Sequence, residues 1–550
     1  MAYGAAAPFD IKAHAQRWSR AKAHKHIWDS YIRECYDYAI PFRRPTAGAN
    51  RGRTDIVFDV TAIDSTFRGA GQLKEDLFPS GQPFFRLTPG PLAKSVIKAA
   101  GEDKDAILFA RQLQQVTEQI LPHFQTGQFD LATAEMCLDI FAGTGVLLPV
   151  KGDRLNPVRF LCLPMEECTL MLDGFRQVNG LQWERMWRIA DIKAAYPDWT
   201  IPKTLADQLA SNPDAEVKLL QEFCKDGERW HCLARIDGLE EPPLRQWYRK
   251  AQPFVAARYH VVPGETYGRG PVVLALSSIK VVNKVKEMAL RSAAINLLGI
   301  WGYRPGGAFN PSVHKLQPGA FWPVNSTGGM LGSDVTRLDP PSRALEVANI
   351  TLSDERAIIQ KMLHDEQTDG KGKTPRSAEE VLMIAQRVKR AYVGAFGRLI
   401  NEIFPVLIPA VCEILYEQKL LTMDLTFDQL LLGVEVTSPL AATMKAGHLE
   451  PIIQAIQLIS AMQRDPNREL MLDKLLPSLL QDNGLSPEFI ADEAHKKDYD
   501  QKAAAAQAAA VMAEVATKNP EMLMGAGDPA AAGQGGDAAG GNVVPIRGAA

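Results

Sequence analysis

The chain has 550 residues, 46% of them hydrophobic and 23% charged, and its formal net charge is −3. This is ordinary globular composition, long enough for about three to four domains. It lacks the basic excess of a tight nucleic-acid binder, so any DNA contact has to be local or transient.

The seven cysteines, Cys35, Cys137, Cys162, Cys168, Cys224, Cys232 and Cys412, are scattered and odd in number. They read as buried thiols in a reducing compartment rather than a disulfide framework or a zinc site. The amino-terminal stretch MAYGAAAPFDIKAHAQRW has no apolar core of a signal peptide. The longest apolar run, FPVLIPAVCEIL from Phe404, is too short to span a bilayer and contains two prolines. No membrane contact is expected.

In chain order, Phe9 to about Tyr38 reads as a helix. Trp18, Ala21, Ile27, Trp28, Tyr31, Ile32 and Cys35 recur at three-to-four spacing. Helix and loop continue through DVTAIDSTFRGAGQLKEDLFPSGQPFFRLTPG, and another helix follows from about Asp105 to Gln125. From Gly143 to about Tyr267 short alternating runs predict an antiparallel β region. Its expected tight turns are Asp173-Gly174, Asn179-Gly180 and Asp226-Gly227. Glu166-Glu167 and Glu102 with Asp105 have no nucleophile beside them and read as surface charge.

From Gly270 the pattern is helical over Pro271–Leu298, roughly 42 Å at 1.5 Å per residue. Ser277, Lys280, Lys284, Glu287 and Arg291 form a polar stripe, and Val281, Val285, Met288 and Ala289 lie on another face. The stretch 300–343 is dense in Gly and Pro, which predicts short strands and loops. Ser353 with Asp354 and Glu355 then reads as the capped start of a second helix, running to Glu366. After the loop Gln367–Arg376, a capping box at Ser377 opens a long helix with the seam Val381, Ile384, Val388, Ala391, Tyr392, Ala395, Leu399 and Ile403. A short strand and further helices follow from about Thr422. The last 30 or so residues are too rich in Ala and Gly to offset their ordering entropy, so a disordered tail is expected.

The loop contains Gly372-Lys373-Thr374, the tail of a phosphate-binding pattern. A P-loop needs a glycine five residues earlier, where this chain has Gln367, and a buried strand before it. The preceding RAIIQKMLHDEQ is helix-patterned, and Pro375 removes a backbone donor where the loop would enter its helix. The loop reads instead as a small basic connector between helices, carrying Lys371, Lys373 and Arg376 against Asp369.

The order of elements resembles the head-to-tail connector, or portal, proteins of short-tailed, podovirus-type bacteriophages. The stretches that carry the resemblance are VFDVTAIDSTFRGAGQLKEDLFPSGQPFFRL (Val57–Leu87), FAGTGVLL (Phe141–Leu148), RYHVVPGETYGRGP (Arg258–Pro271), TPRSAEEVLMIAQR (Thr374–Arg387) and SPLAATMKAGHLEPI (Ser438–Ile452). It covers residues 10–500, and it lies in their joint order rather than in any one motif.

The resemblance implies an α+β, mainly helical portal fold, assembled as a ring of about twelve copies around an axial channel. Residues 1–142 and 143–269 would be the helical and antiparallel β parts of the wing. Stem helices would span 270–299 and 344–366, with the clip at 300–343 between them. The tunnel loop would be 367–376, a long wing helix 377–421, the crown 422–518 and a tail 519–550. The ring would sit at one capsid vertex of the virion, after synthesis in the host bacterial cytoplasm. It would conduct double-stranded DNA during packaging and ejection and dock the terminase large subunit and then the tail adaptor. It would also contact major capsid, scaffold and internal core proteins. The clip residues Arg304, His314, Lys315, Trp322 and Arg337 would meet the docking partners. No cofactor, metal or catalytic residue is implied, so the chain is expected not to be an enzyme.

The residues are compatible with that mechanism. Each phosphate neutralised adds salt-dependent affinity, and a deep electrostatic well would stall sliding DNA. Lys371, Lys373 and Arg376, repeated around an axis, would form a weak backbone-directed collar, with Gly370 and Gly372 letting the loop change conformation. The alternative is that these cations only solubilise the loop. Lys280, Lys284 and Arg291 either face DNA or pair with Glu287 or a neighbouring subunit. Apolar residues on several faces of the stem helices suit packing on both an intrachain partner and the next subunit, or else a fully buried core helix. Two other functions stay open: a nucleotide-driven DNA translocase, and another virion structural protein such as a coat, scaffold or tail-tube protein.

Overall fold

The computed structural model describes residues 11–44, 56–90, 92, 93, 95, 103–238, 243–298, 300–303, 335–338, 343–365, 378–421, 432–437, 499, 501 and 502. The chain divides into two units, Met1–Gln457 and Leu458–Ala550. In the second, only three residues near Tyr499 are described, and they are helical. The rest of the fold concerns the first unit, which is mixed helix and sheet.

Helix α1 (Ile11–Ala39) buries Trp18, Lys25, Ile32 and Ala39, one residue every two turns, together with Cys35 and Tyr36. Two members of the expected seam, Ile27 and Tyr31, are instead 66% and 51% exposed. The apolar stripe is wider than the surface that covers it. Helix α2 (Thr61–Leu77) follows, then strand β1 (Phe85–Pro89), helix α3 (Asp103–Thr126) and helix α4 (Phe129–Ala142). α4 buries every residue from Met136 to Ala142, so its second half is enclosed on all sides, while Leu131 in its first turn is exposed. The FPSGQPFF segment between α2 and β1 feeds an aromatic cluster. Phe78 meets Phe129 edge-on at 5.1 Å, Phe84 stacks on Phe129 at 5.5 Å, and Phe124 stacks on Phe160 at 5.2 Å.

The β region holds β2 (Thr144–Lys151), β3 (Val158–Leu163), β4 (Cys168–Leu172), β5 (Val178–Arg188), β6 (Glu216–Asp226), β7 (Arg229–Ile236), β8 (Arg245–Arg249) and β9 (Val255–Arg258). Short helices α5 (Ile189–Ala195) and α6 (Lys203–Ser211) interrupt it between β5 and β6. All pairings are antiparallel: a sheet ordered β3-β2-β9 and a meander β4-β5-β6-β7-β8. Asp226-Gly227 does turn the chain, with Gly227 at φ +61. The β4–β5 reversal uses Asp173, whose carboxylate accepts from the backbone N–H of Phe175 and Gln177 at 2.9 and 2.8 Å. Asn179-Gly180 is not a turn. It lies inside β5 with Gly180 opposite Met171, where an added Cβ would come 2.5 Å from the methionine Cε. The glycine is a strand residue there and makes no reversal.

Helix α7 (Pro271–Leu298) leads through the β10 (Ile300–Tyr303) and β11 (Val335–Leu338) hairpin into helix α8 (Arg343–Met362). The second helix thus begins ten residues before the expected cap (Arg343 rather than Ser353). Ser353 sits inside it, and its hydroxyl donates back to the Ile350 carbonyl at 2.8 Å, so the side chain bonds within the helix and does not cap it.

Helix α9 (Ala378–Glu417) and strand β12 (Leu432–Val436) complete the described unit. β12 pairs with β1, which builds this part of 422–518 into the larger unit. Phe396–Glu417 has a mean hydropathy of 1.7 and passes for a membrane span by length and composition. The apolar run is longer than FPVLIPAVCEIL alone because the helix carries it upstream. Its Leu399, Ile403, Phe404, Leu407, Ile408, Val411, Ile414 and Leu415 are fully buried in the core, against β9 and β2.

Candidate functional site

The start of α7 is fixed by a knot of glycines. Gly143 has φ +147, and a Cβ there would lie 2.1 Å from the Gly268 carbonyl oxygen. A Cβ on Gly270 would lie 2.0 Å from the Phe141 carbonyl oxygen. The Gly268 N–H donates to Thr144 Oγ1 at 2.8 Å, and the Tyr259 N–H donates to the Gly143 carbonyl at 3.0 Å. The FAGTG and GRGP stretches therefore cross backbone to backbone where only glycine fits. Pro271 then opens α7 in its first turn, where no donor is lost.

α7 buries Val272, Ala275, Leu276, Ile279 and Val282. Next to them Asn283 reads the backbone of the 56–59 strap. Its Oδ1 accepts from the Phe58 and Asp59 N–H groups at 2.6 and 3.3 Å, and its Nδ2 donates to the Ile56 carbonyl at 2.6 Å. Asp59 in turn holds the Arg356 guanidinium of α8, at 3.1 Å from Nε and 2.5 Å from Nη2. Burial pushes the Asp59 carboxyl up, but hydrogen bonds from Thr61 and Arg356 outweigh it and leave the group below its ordinary range. The strap thus ties α7 to α8 at one level.

The three expected stem cations all have acid partners within the chain. Lys280 Nζ is 2.6 Å from Glu34 of α1, Lys284 Nζ is 3.0 Å from Glu287, and Arg291 Nη2 is 2.5 Å from Glu287. The hydrogen bond from Lys284, with Arg291 beside it, holds the Glu287 carboxyl below the usual range. Glu287 was legible from its spacing to Lys284 and Arg291. Glu34, Asn283, Asp59 and Arg356 carried no local signal, because each partner comes from a distant segment.

At the other end of α8, Leu363 is fully buried and His364 has φ +65. His364 Nε2 lies 2.9 Å from Tyr259 Oη, and burial, with His260 nearby, pushes its imidazole down to about 4. Asp365 accepts from Ser65 Oγ at 2.9 Å and lies 3.7 Å from Arg68. The chain is pinned onto α2 and the β9 region directly before the basic loop.

Gly370, Lys371, Gly372, Lys373 and Arg376 lie outside the described residues, as do Arg304, His314, Lys315 and Trp322. Arg337 is in β11, paired with Trp301 in β10. What precedes the Gly372-Lys373-Thr374 loop is helix up to Met362, not the strand that a phosphate-binding loop requires. Among the described residues, no group of three or more His, Cys, Asp or Glu side chains is placed to hold a metal. The thiols are all unpaired, and burial pushes those of Cys35, Cys137, Cys224 and Cys232 up to about 12.

A family model described as bacteriophage head to tail connecting protein matches residues 12–490. A comparison with curated proteins gives no match.

Proposed function

Because the chain belongs to the bacteriophage head to tail connecting proteins, it is a structural component of the virion at the head–tail junction, and we propose that it forms the portal ring there. In this reading about twelve copies surround an axial channel for double-stranded DNA. α7 and α8 are the stem, the segment between them is the clip that docks terminase and then the tail adaptor, and loop 367–376 lines the channel. The observation that carries the reading is the internal pairing of three α7 cations. Lys280, Lys284 and Arg291 are paired with Glu34 and Glu287, so these three, though not Lys286, are held within the chain and bind sliding DNA less. A nucleotide-driven translocase is disfavoured by the helix before the loop.

The test is the mass of the purified protein in solution, with images of the same sample. A ring of about twelve subunits, with a hole wide enough for duplex DNA, supports the conduit. A monodisperse monomer overturns it. ATP turnover with DNA that is lost in Lys373→Ala would instead favour the translocase.

A further inference from the structure

Helix α1 carries its positive charge in one block. Ile11–Trp28 holds five Lys or Arg residues and no Asp or Glu, and Asp29 is the first acid. Two of these cations are answered inside the chain. Lys22 pairs with Glu184 of β5, and the buried Lys25 lies 3.8 Å from Asp29 and against the Glu166 carbonyl. Arg17 and Arg20 are exposed, and among the described residues neither has an acid within ion-pair distance.

Arg17, Arg20, His24, Ile27 and Tyr31 are all exposed and follow one another three and four residues apart. They form a single outward stripe, about 21 Å long at 1.5 Å per residue. Its first half is basic and its second half apolar, with Ile27 66% and Tyr31 51% exposed. The apolar half opens on a groove of about 400 Å³, lined by Ile27, Trp28 and Tyr31 of α1 and by Glu265, Arg269 and Val273 of the 264–273 stretch. Arg269 lies over the Trp28 ring, 5.7 Å from its centroid, and its Nε donates to the Glu265 carboxylate at 3.0 Å. The groove's own cation is therefore already engaged, and the uncompensated charge lies beside it on Arg17 and Arg20. Single exposed apolar side chains are ordinary, but a groove walled by them next to unpaired cations is a surface built for a partner.

We propose that this stripe docks an acidic segment of another protein, with carboxylates on Arg17 and Arg20 and an apolar side chain in the groove. The surface belongs to one chain, so the inference does not rest on the portal reading. Charge complementarity selects an acidic partner. The groove selects a protein over a nucleic acid, because phosphates would use the two arginines and leave Ile27 and Tyr31 in water. Arg20 and Ile27 are about 10 Å apart along the helix, the span of about three extended residues, so the acids and the anchor fit within one short peptide.

The probe is a fluorescein-labelled synthetic peptide with an acidic Asp/Glu quartet, a Gly-Ser spacer and a terminal Phe-Leu. It is titrated with full-length protein as purified and read by anisotropy. The expected result is saturable binding that weakens about tenfold or more in the double variant Arg17→Glu, Arg20→Glu, in Ile27→Asp, and when Phe-Leu is replaced by Ala-Ala. The three substituted positions are exposed, so the urea midpoint should stay in place, which separates lost docking from lost folding. No binding by the wild-type protein, or binding that ignores either the charge change or Ile27→Asp, overturns the proposal. Two other outcomes overturn it by naming a different occupant. Duplex DNA that displaces the peptide, with the Ala-Ala peptide binding as well as the original, assigns the stripe to nucleic acid. Loss of self-association in the variants assigns it to a second copy of the chain. A monomeric protein that still binds the peptide keeps this inference while overturning the ring.

Discussion

Replacing Asp139 by Asn tests how the helical and β parts of the core are joined. Asp139 is fully buried near the end of α4. It accepts from Tyr36 Oη of α1 at 2.8 Å and from Arg43 Nη2 at 2.9 Å, and Cys162 Sγ of β3 lies 3.5 Å away. Burial and the neighbouring carboxylate raise the Tyr36 phenol well above its ordinary value, so it stays a donor. Asparagine keeps the shape and removes the charge. The Arg43 side chain, only 12% exposed, is then left with Glu135 at 2.9 Å as its acid. Removing one partner of a buried pair costs about 3–5 kcal/mol, and the surviving Glu135 sets the expectation at the lower end, about 3 kcal/mol. Urea unfolding followed by tryptophan fluorescence reads it. With a slope of about 3 kcal/mol/M or more, the midpoint falls by up to about 1 M. Glu135→Gln, whose carboxylate is 36% exposed, should cost less than about 1 kcal/mol. An unchanged midpoint in Asp139→Asn, or a larger loss in Glu135→Gln, refutes the network as a joint.

Gly143→Ala combines a φ of +147 with a Cβ 2.1 Å from a carbonyl oxygen, so it should destabilise by more than about 3 kcal/mol and yield little soluble protein. Gly71→Ala, in α2 with nothing within 4 Å, should instead raise the urea midpoint by the equivalent of about 0.5–1 kcal/mol. His364 has a folded-state pKa of about 4, below its unfolded value, so the unfolded chain binds more protons between about pH 6.5 and 4. Stability is whole above pH 6.5 and falls by up to about 3 kcal/mol as the pH drops through that window. His364→Gln should flatten the loss, and an unchanged acid limb would show that another group governs it. Deleting Lys371–Lys373 should leave ring assembly intact and impair DNA packaging or retention, and normal virion yield would remove the loop from the channel.

The legible parts of the fold were those with local signatures. Pro271 after a glycine-rich turn and an apolar run marked α7 to its observed ends, and turn dipeptides marked the antiparallel β region. The same local logic failed at two places. Ser353-Asp354-Glu355 has the form of a cap, but the ten residues before it are already helical. Asn179-Gly180 has the form of a turn, but both residues lie within β5, with Gly180 paired to Met171 across the ladder. In both, tertiary packing overrode a short motif that was chemically correct in isolation. The stem's charge pairing was half legible. Glu287 lies one helical turn from both its partners, whereas Glu34 is 246 residues from Lys280 in sequence. Asp59, which joins α7 to α8 through Asn283 and Arg356, carries no periodicity that points to either.

These pairings bear on where a DNA-conducting ring would hold its charge. On α7, Lys280, Lys284 and Arg291 share two acids, Glu34 and Glu287, and Lys286 is a fourth cation of the helix. The loop Gln367–Arg376 has Lys371, Lys373 and Arg376 against Asp369 alone. The loop therefore nets two positive charges over ten residues, and the Leu363–Asp365 anchor fixes the end from which it starts. Counterion release scales with the number of phosphates neutralised. If the loop lines the channel, the salt dependence of DNA retention should fall far more on removing the loop cations than on replacing Lys284 and Arg291 with alanine. The reverse result would put DNA against the stem, and would require Lys284 and Arg291 to leave Glu287 when DNA is present.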